Sequence, residues 1–379
     1  MGRIFHLDEP PGCVVLTPTV PVRGWIVDDA VSKIETVSLR SQNGSNVPLK
    51  GVDRPDVRAQ SPGVASAGFG GWIDIETAAR GPWRIRYEHP AGAEEFPIDL
   101  SADRAALDAF TAAKARKLDT IRPWLRCPLC GTVLDGRSQL RCANGHAFAR
   151  GASAYDMLDA QTRERCGIVE TENVSAHGYD PTLLDLIVRA DGPVIDVGAG
   201  LRPQYREDVV NLDIVQYATT DVVAASERLP FADDTFALVV SVAVLEHVRD
   251  PFAAARELVR IMRPGGRIFA AVPFLQPYHG YPNHYYNMTS AGLRNLFRDL
   301  DVERLEVPVA GLPIFTLTWL LQAWRRGLSP ELASAFDRLT VAELSKDPMT
   351  LIDEPFVRAL SPQVNDEIGA LNLLIGRKR

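Results

Sequence analysis

The chain has few cysteines and no long uninterrupted apolar run, and each shortage excludes a class of protein. Five cysteines among 379 residues are too few for a scaffold built on disulfides. The longest apolar stretch, residues 307–323, is broken by Pro308 and Pro313, and it falls short of the roughly 20 apolar residues that a membrane helix needs. The first residues, MGRIFHLDEPPG, contain no apolar core of the signal-peptide type. We therefore expect a cytoplasmic protein with reduced thiols.

Positive charge is not in excess either. The chain has 41 Lys and Arg residues against 48 Asp and Glu residues, a net charge of −7. A whole-chain electrostatic attraction to nucleic acid or to an anionic membrane is therefore not expected. Apolar residues account for 46% of the chain and charged residues for 23%, which is typical of a globular protein with a buried core.

The N-terminal third reads as β-structure followed by a helix. Residues 1–100 contain short alternating apolar runs separated by Pro, Gly, Asn and Asp, which predicts a small antiparallel β-sandwich of immunoglobulin-like type. We interpret this segment as a binding or docking module. Residues 101–125 are rich in Ala and predict a connecting helix with Ser101 as its N-cap.

The C-terminal part has the pattern of an α/β fold. Within residues 151–300, continuous apolar runs alternate with helical segments, as buried parallel strands do. Residues 301–379 are mostly helical in pattern, and their last apolar run, 370–375, is expected to complete the sheet as an edge strand.

Residues 126–150 contain a metal-ligand pattern. Cys127 and Cys130 form a CxxC pair, and Cys142 and His146 follow after 11 residues. Three thiolates and one imidazole suit tetrahedral zinc, and four protein ligands leave no open position for chemistry. The pattern therefore predicts a structural Zn²⁺ site. The alternatives are unrelated buried cysteines, or a redox CxxC pair that would not call for Cys142 and His146.

The cysteine segment, CPLCGTVLDGRSQLRCANGHAFARGASAYDML, resembles the zinc-binding segment of ribosomal RNA guanine-N1 methyltransferases. From Lys114 to Arg150 the chain has eight basic and two acidic residues, a local balance of 8 − 2 = +6. This charge is compatible with a surface that faces RNA or with a solvated face between acidic domains.

A glycine turn follows the apolar run 193–197. Gly198 and Gly200 allow the backbone to approach a ligand at the carboxyl end of a strand. Pro203 occupies the third glycine position of a dinucleotide motif, and Asp196 would repel a pyrophosphate. An acid at that position suits the sulfonium and ammonium groups of S-adenosylmethionine. Asp213 ends the next apolar segment and can accept hydrogen bonds from both ribose hydroxyls.

The order of motifs across residues 190–300 resembles the class I S-adenosylmethionine-dependent methyltransferases of the type 11 group. The glycine turn is followed by LPF, by VLEHV, by the helical run DPFAAARELVRIM and by RPGG before an apolar strand. The resemblance implies a Rossmann-like sheet and S-adenosylmethionine as cofactor. It also implies that the cofactor lies along Asp196, Gly198, Gly200, Asp213, Ser226, Leu229, Ser241 and Val242. Members of the group commonly carry an acid that accepts from the adenine amino group where this chain has Ala225.

The loop 273–289 is rich in histidine and tyrosine, with His279, His284, Tyr278, Tyr281, Tyr285 and Tyr286. Because it follows a strand of the predicted sheet, we expect it to face the methyl group of the cofactor. A neutral imidazole can take the proton of a hydroxyl nucleophile. We predict His284 as this base and His279 as the residue that orients the acceptor. The alternative is a lid of aromatic residues that only packs.

Together these features predict an enzyme that methylates an oxygen of a sugar, a glycan or a small hydroxylated metabolite. The zinc segment and its basic surroundings favour a second candidate, an RNA base methyltransferase. A third is a non-catalytic scaffold in which the sandwich and the zinc segment bind partners. The expected partner is thus a small molecule or a glycan, with nucleic acid as the alternative.

Overall fold

The computed structural model describes residues 3–137, 139–151, 153–168, 178–280 and 283–378. Its contacts divide the chain into two units, Met1–Val242 with Ala253–Ala270 and Ala243–Phe252 with Ala271–Arg379. The first unit holds the β-sheets, and the second is largely helical. In the parts of the chain that the structure describes, no helix is both long enough and apolar enough to cross a membrane.

The N-terminal part is all-β, as the alternating runs predict. Its strands are β1 (Ile4–Glu9), β2 (Val14–Val15), β3 (Thr19–Asp28), β4 (Thr36–Ser41), β5 (Asn46–Val52), β6 (Ala65–Asp74), β7 (Trp83–His89), β8 (Gly92–Ile98) and β9 (Ser101–Ala102). Seven of them form one antiparallel sheet in the order β1-β3-β6-β5-β4-β7-β8, and β2 pairs with β9. Two short helices, α1 (Pro55–Gln60) and α2 (Ile75–Ala78), interrupt the strands.

The two halves of this sheet share one strand. β5 pairs with β4 on one side and with β6 on the other. Buried side chains from both halves, such as Ile26, Phe69, Leu39 and Tyr87, belong to one hydrophobic cluster. The expected sandwich is therefore a single sheet folded over a common core.

The predicted connecting helix is α3 (Arg104–Ile121), but it begins later than expected. Its N-cap is Asp103, whose carboxylate accepts a hydrogen bond from Ala106 N at 2.8 Å. Ser101 was the predicted cap. It instead pairs with Val14 in the β2–β9 ladder, and this pairing holds its backbone outside the helix.

The second sheet has nine strands. They are β10 (Leu134–Asp135), β11 (Gln139–Cys142), β12 (Ala147–Arg150), β13 (Tyr155–Asp156), β14 (Val194–Val197), β15 (Val209–Asp213), β16 (Val222–Val223), β17 (Phe236–Val242) and β18 (Met262–Ala271). Their order is β10-β11-β12-β13-β16-β15-β14-β17-β18. The strands from β13 to β17 pair in parallel, so the expected Rossmann-like α/β sheet is confirmed.

The cysteine segment is part of this sheet. β12 pairs antiparallel with β13, and β13 pairs in parallel with β16. Residues 126–150, which carry the predicted metal ligands, are therefore joined to the α/β sheet by main-chain hydrogen bonds. Nothing in the local sequence indicates this pairing, because β13 is only two residues long.

The remaining helices are α4 (Ala160–Cys166), α5 (Pro181–Arg189), α6 (Pro251–Ile261), α7 (Ser290–Leu296), α8 (Pro313–Arg326), α9 (Pro330–Phe336), α10 (Val341–Leu344), α11 (Pro355–Arg358) and α12 (Pro362–Ile368). The helical character expected for residues 301–379 is present. The expected edge strand is not: described residues 370–375 form no strand. The apolar side chains there are solvent-exposed, with Leu371 87% and Ile375 89% accessible.

Candidate cofactor and metal sites

Six of the eight residues predicted to hold a cofactor lie at one edge of the second sheet. β14, β15, β16 and β17 run in parallel, so their carboxyl ends lie side by side, where α/β sheets bind ligands. Asp196, Gly198 and Gly200 reach this edge from β14 and its turn, Asp213 from the end of β15, and Ser241 and Val242 from the end of β17. Ser226 and Leu229 follow β16 in the chain.

Asp213 holds the glycine turn in place. Gly198 and Gly200 have φ values of 77° and 62°, a backbone conformation that side chains with a Cβ rarely adopt. Gly200 N donates to Asp213 Oδ2 at 2.8 Å, and Val215 N donates to Oδ1 at 2.9 Å. A carboxylate offers about four acceptor positions, so acceptor capacity remains for ribose hydroxyls. Burial raises the pKa of Asp213 to about 6.

Asp196 has a cationic partner that the sequence analysis missed. Its buried Oδ2 accepts from Tyr179 Oη at 2.9 Å, and Arg202 Nη2 lies 2.7 Å away. Arg202 therefore neutralises much of the negative charge of Asp196, which was expected to attract a cationic ligand. In the sequence, the one feature that could have pointed to this pairing is the position of Arg202, two residues after Gly200. Among the described residues, Asp196 Oδ1 is buried without a hydrogen-bond partner, and so is Ser241 Oγ.

The segment after β16 is held by α6. Leu229 N donates to Glu257 Oε2 at 2.8 Å, and Arg260 Nη2 donates to Leu229 O at 3.0 Å. Both Ser226 and Leu229 are buried. These hydrogen bonds fix the backbone of Leu229, the last residue of the predicted adenine segment, against α6.

The four predicted metal ligands lie together. Their donor atoms are all within 4.8 Å of one another. His146 Nδ1 lies 3.4 Å from Cys127 Sγ and 3.3 Å from Cys142 Sγ, and Cys130 Sγ lies 3.7 Å from Cys142 Sγ. Around a tetrahedral zinc ion, bond lengths of about 2.1–2.3 Å separate such donors by about 3.6–3.8 Å. The donor set therefore fits zinc in kind, in number and closely in spacing.

Two glycines shape the turns that carry these ligands. Gly131 and Gly145 have φ values of 72° and 82°. Gly131 N donates to Cys127 O at 2.8 Å, and Gly145 N donates to Cys142 O at 3.0 Å. Each hydrogen bond closes a tight turn that brings two ligands to the same side.

The basic stretch around the cysteines is not a free cationic surface. Lys114 and Lys117 are only 2% and 4% exposed. Lys117 Nζ lies 2.7 Å from Asp221 Oδ2. Arg116 and Arg150 each pair with a carboxylate at 2.9 Å. Half of the eight basic residues are thus buried or paired, which removes much of the charge that an RNA-facing patch would use.

The second unit contains a cluster of three histidines. The ring centroids of His279 and His284 are 4.4 Å apart, and those of His247 and His279 are 5.2 Å apart. His284 Nδ1 accepts from His279 N at 3.2 Å, and its Nε2 lies 2.9 Å from Asn287 Oδ1. Burial and the nearby His279 lower the pKa of His284. No function was predicted for His247 from the sequence. The feature that could have pointed to it is the Glu-His pair in the motif VLEHV. Predicted loop residue Tyr281 lies outside the described residues.

Comparison with known proteins gives one family match. Residues 195–270 match the family model described as Methyltransferase domain. The ubiquinone/menaquinone biosynthesis C-methyltransferase UbiE of Haemophilus ducreyi is 33% identical over 106 residues, which cover 27% of this chain and 40% of that protein. An uncharacterized methyltransferase of Mycobacterium avium is 35% identical over 79 residues, covering 20% of this chain and 31% of that protein. The chain thus spans less than half the length of these relatives.

Among solved structures, an S-adenosylmethionine-dependent methyltransferase from Mesorhizobium loti aligns with a TM-score of 0.26 and 17% identity, covering 41% of this chain and 91% of that chain. A similarity this low adds nothing to the family match.

Proposed function

We propose that this chain, whose residues 195–270 match the Methyltransferase domain model, is a class I S-adenosylmethionine-dependent methyltransferase that transfers a methyl group to an oxygen acceptor. The observation that supports the cofactor most directly is Asp196 Oδ1, which is buried and has no hydrogen-bond donor among the described residues. A buried acceptor without a donor is costly, and the ammonium group of the cofactor would supply one. When bound, S-adenosylmethionine supplies a methyl group activated by its sulfonium.

The other predicted residues have separate tasks in this proposal. Asp213 accepts hydrogen bonds from the ribose hydroxyls. It uses the carboxylate lone pairs that Gly200 N and Val215 N do not occupy. The turn at Gly198 lets the backbone lie against the cofactor. Ser226 and Leu229 lie along the adenine, and Ser241 and Val242 form the floor of the pocket.

The acceptor is proposed to be a hydroxyl of a sugar, a glycan or a small metabolite. His284 would take the hydroxyl proton on Nδ1, exchanging the hydrogen bond from His279 N for one from the acceptor. Its lowered pKa keeps the imidazole neutral and able to accept a proton. His279 would orient the acceptor. A carbon acceptor is the competing class, because the first relative is named a C-methyltransferase.

The acceptor class can be tested with labelled cofactor. The full chain is incubated with radiolabelled S-adenosylmethionine and separate fractions of polysaccharide, small hydroxylated metabolites, quinone precursors and RNA. We expect label in a hydroxylated fraction, and cleavage of its methyl ethers with hydriodic acid should release the label as methyl iodide. His284→Ala should lower turnover by ~10²- to 10⁴-fold without weakening cofactor binding. Label only on carbon or only in RNA would contradict the oxygen acceptor.

We also propose that Cys127, Cys130, Cys142 and His146 hold a structural zinc ion. The donor spacing supports this, and all four positions of a tetrahedral ion would be filled by protein. The ion would cross-link the turns that precede β10 and β12, and it would take no part in methyl transfer.

A further inference from the structure

Glu246 carries a fully buried carboxyl group. Its exposed fraction is 0%, and neither carboxylate oxygen has a hydrogen-bond partner among the described residues. A buried carboxyl group in this condition either stays protonated or pairs with a cation.

Two imidazoles lie next to this carboxylate within the same unit. His247 Nε2 is 3.7 Å from Glu246 Oε1. One donor atom each from Glu246, His247 and His279 lies within 4.8 Å of the other two. His284 adjoins this group, but both of its ring nitrogens already have partners, so we do not count it as a ligand.

The hydrogen bonds of the two imidazoles fix which nitrogen is free. His247 Nδ1 lies 2.7 Å from Asn283 O, and His279 Nδ1 lies 2.9 Å from Pro277 O. Because a carbonyl oxygen can only accept, each Nδ1 carries the proton and each Nε2 keeps its lone pair. Histidines that bind metals commonly donate their other N–H to a backbone carbonyl in this way.

The backbone around these residues is shaped to bring them together. Gly280 has φ +93°, and a Cβ there would lie 2.2 Å from Cε1 of His247. Only glycine lets the loop pass this close to the ring. Tyr285 N donates to Glu246 O at 2.7 Å, so the loop is tied back to the turn Leu245–His247 that carries two of the three side chains.

We propose that Glu246, His247 and His279 bind a divalent transition-metal ion. Two imidazoles and one carboxylate suit Zn²⁺, Fe²⁺ or Co²⁺, whereas Mg²⁺ and Ca²⁺ prefer oxygen ligands alone. Three protein ligands leave at least one coordination position open to water or to an oxygen of a small molecule. This site goes beyond the proposed methyl transfer, with which it shares His279, and the observations that support it do not depend on that proposal.

Titration of the full chain with Co²⁺ after chelation tests this proposal. Thiolate ligands give cobalt a charge-transfer absorption that imidazole and carboxylate ligands lack, so the two sites can be counted separately. We expect two equivalents per chain, one with the thiolate absorption and one without it. Glu246→Gln keeps the shape of the side chain and should weaken the second equivalent at least ~10-fold. Cys142→Ser should weaken only the thiolate equivalent.

The matched control is His6→Gln, which removes an exposed histidine paired with Asp8 in the N-terminal sheet and should leave both equivalents intact. If Glu246→Gln does not fold, as judged by circular dichroism, His279→Gln serves as the second variant with the same expected loss. A parent protein that binds only the thiolate equivalent would overturn the proposal. So would a folded Glu246→Gln or His279→Gln variant with the parent's affinity for the second ion. Methyl transfer is measured separately, so its absence would leave this result unaffected.

Discussion

At the scale of single residues, Asp213 carries most of the cofactor proposal. It fixes the glycine turn through Gly200 N and is the proposed acceptor for both ribose hydroxyls. Asp213→Ala should lower the affinity for S-adenosylmethionine by roughly 10- to 100-fold, since hydrogen bonds to a charged group contribute ~1.5–3 kcal/mol. Calorimetric titration measures this change. Asp208→Ala, which removes an acid that pairs with Arg206 just before the same strand, is the control and should bind as the parent does.

The raised pKa of Asp213 predicts a pH dependence of cofactor binding. Above about pH 6 the carboxylate is ionised and accepts from the ribose; below about pH 6 protonation competes with the cofactor. Affinity should therefore change little between pH 8 and 7 and should fall as the pH drops below about 6, approaching ~10-fold per pH unit. Asp213→Asn should lose this dependence. A parent profile that stays flat down to pH 5 would contradict the assignment.

The spacing of these residues in the sequence was sufficient to predict that they lie together. It gave no information about the partners that other parts of the fold contribute. A strand, a glycine turn and an acid at the end of the next strand lie within 20 residues, so Gly198, Gly200 and Asp213 could be placed at one edge from the sequence. The pairing of Asp196 with Arg202 and Tyr179 depends on how the turn folds back. The same holds for His247, which meets His279 only because the loop returns past Gly280.

At the scale of elements, α3 is attached to the second sheet by a buried ion pair. Lys117 Nζ lies 2.7 Å from Asp221 Oδ2, and Tyr205 Oη donates to Asp221 Oδ1 at 2.6 Å. Lys117→Met would leave the buried carboxylate without its cation, and we expect the free energy of unfolding to fall by about 3–5 kcal/mol. Denaturant unfolding measures it.

The control for this prediction is Arg116→Met on the same helix. Arg116 pairs with Glu207 at an exposed position, and exposed pairs contribute only about 0–1 kcal/mol. Equal effects of the two substitutions would show that the buried pair does not attach α3 to the sheet.

Periodicity predicted the elements better than it predicted their ends and partners. The helix of residues 104–121 follows from an Ala-rich stretch, and the parallel strands follow from continuous apolar runs. The N-cap moved from Ser101 to Asp103 because Ser101 pairs with Val14, a contact distant in sequence. The run 370–375 has the composition of a strand, but its apolar side chains are exposed in the described chain. A strand also needs a neighbouring strand to pair with, and composition does not show whether one is present.

At the scale of the whole molecule, the continuity of the second sheet links the proposed zinc site to the cofactor edge. β12 pairs with β13, β13 with β16, and β16 with β15, which ends at Asp213. Cys142→Ser should therefore lower both the zinc content and the melting temperature of the sheet, and it should weaken cofactor binding. Metal analysis, calorimetry and cofactor titration of this variant check the three effects. Loss of zinc with an unchanged melting temperature and cofactor affinity would mean that the segment behaves as a separate module.

The central claim is that S-adenosylmethionine binds at the edge formed by β14, β15, β16 and β17. Titration of the cofactor into the parent and into Gly198→Val tests it most directly, with Gly44→Val as the matched control. Gly44 has a similar φ of +86° and nothing within 4 Å of a built Cβ, so it reproduces the backbone strain away from the site. We predict one equivalent bound by the parent and by Gly44→Val, and no measurable binding by folded Gly198→Val. No binding by the parent, or equal binding by Gly198→Val, would contradict the account.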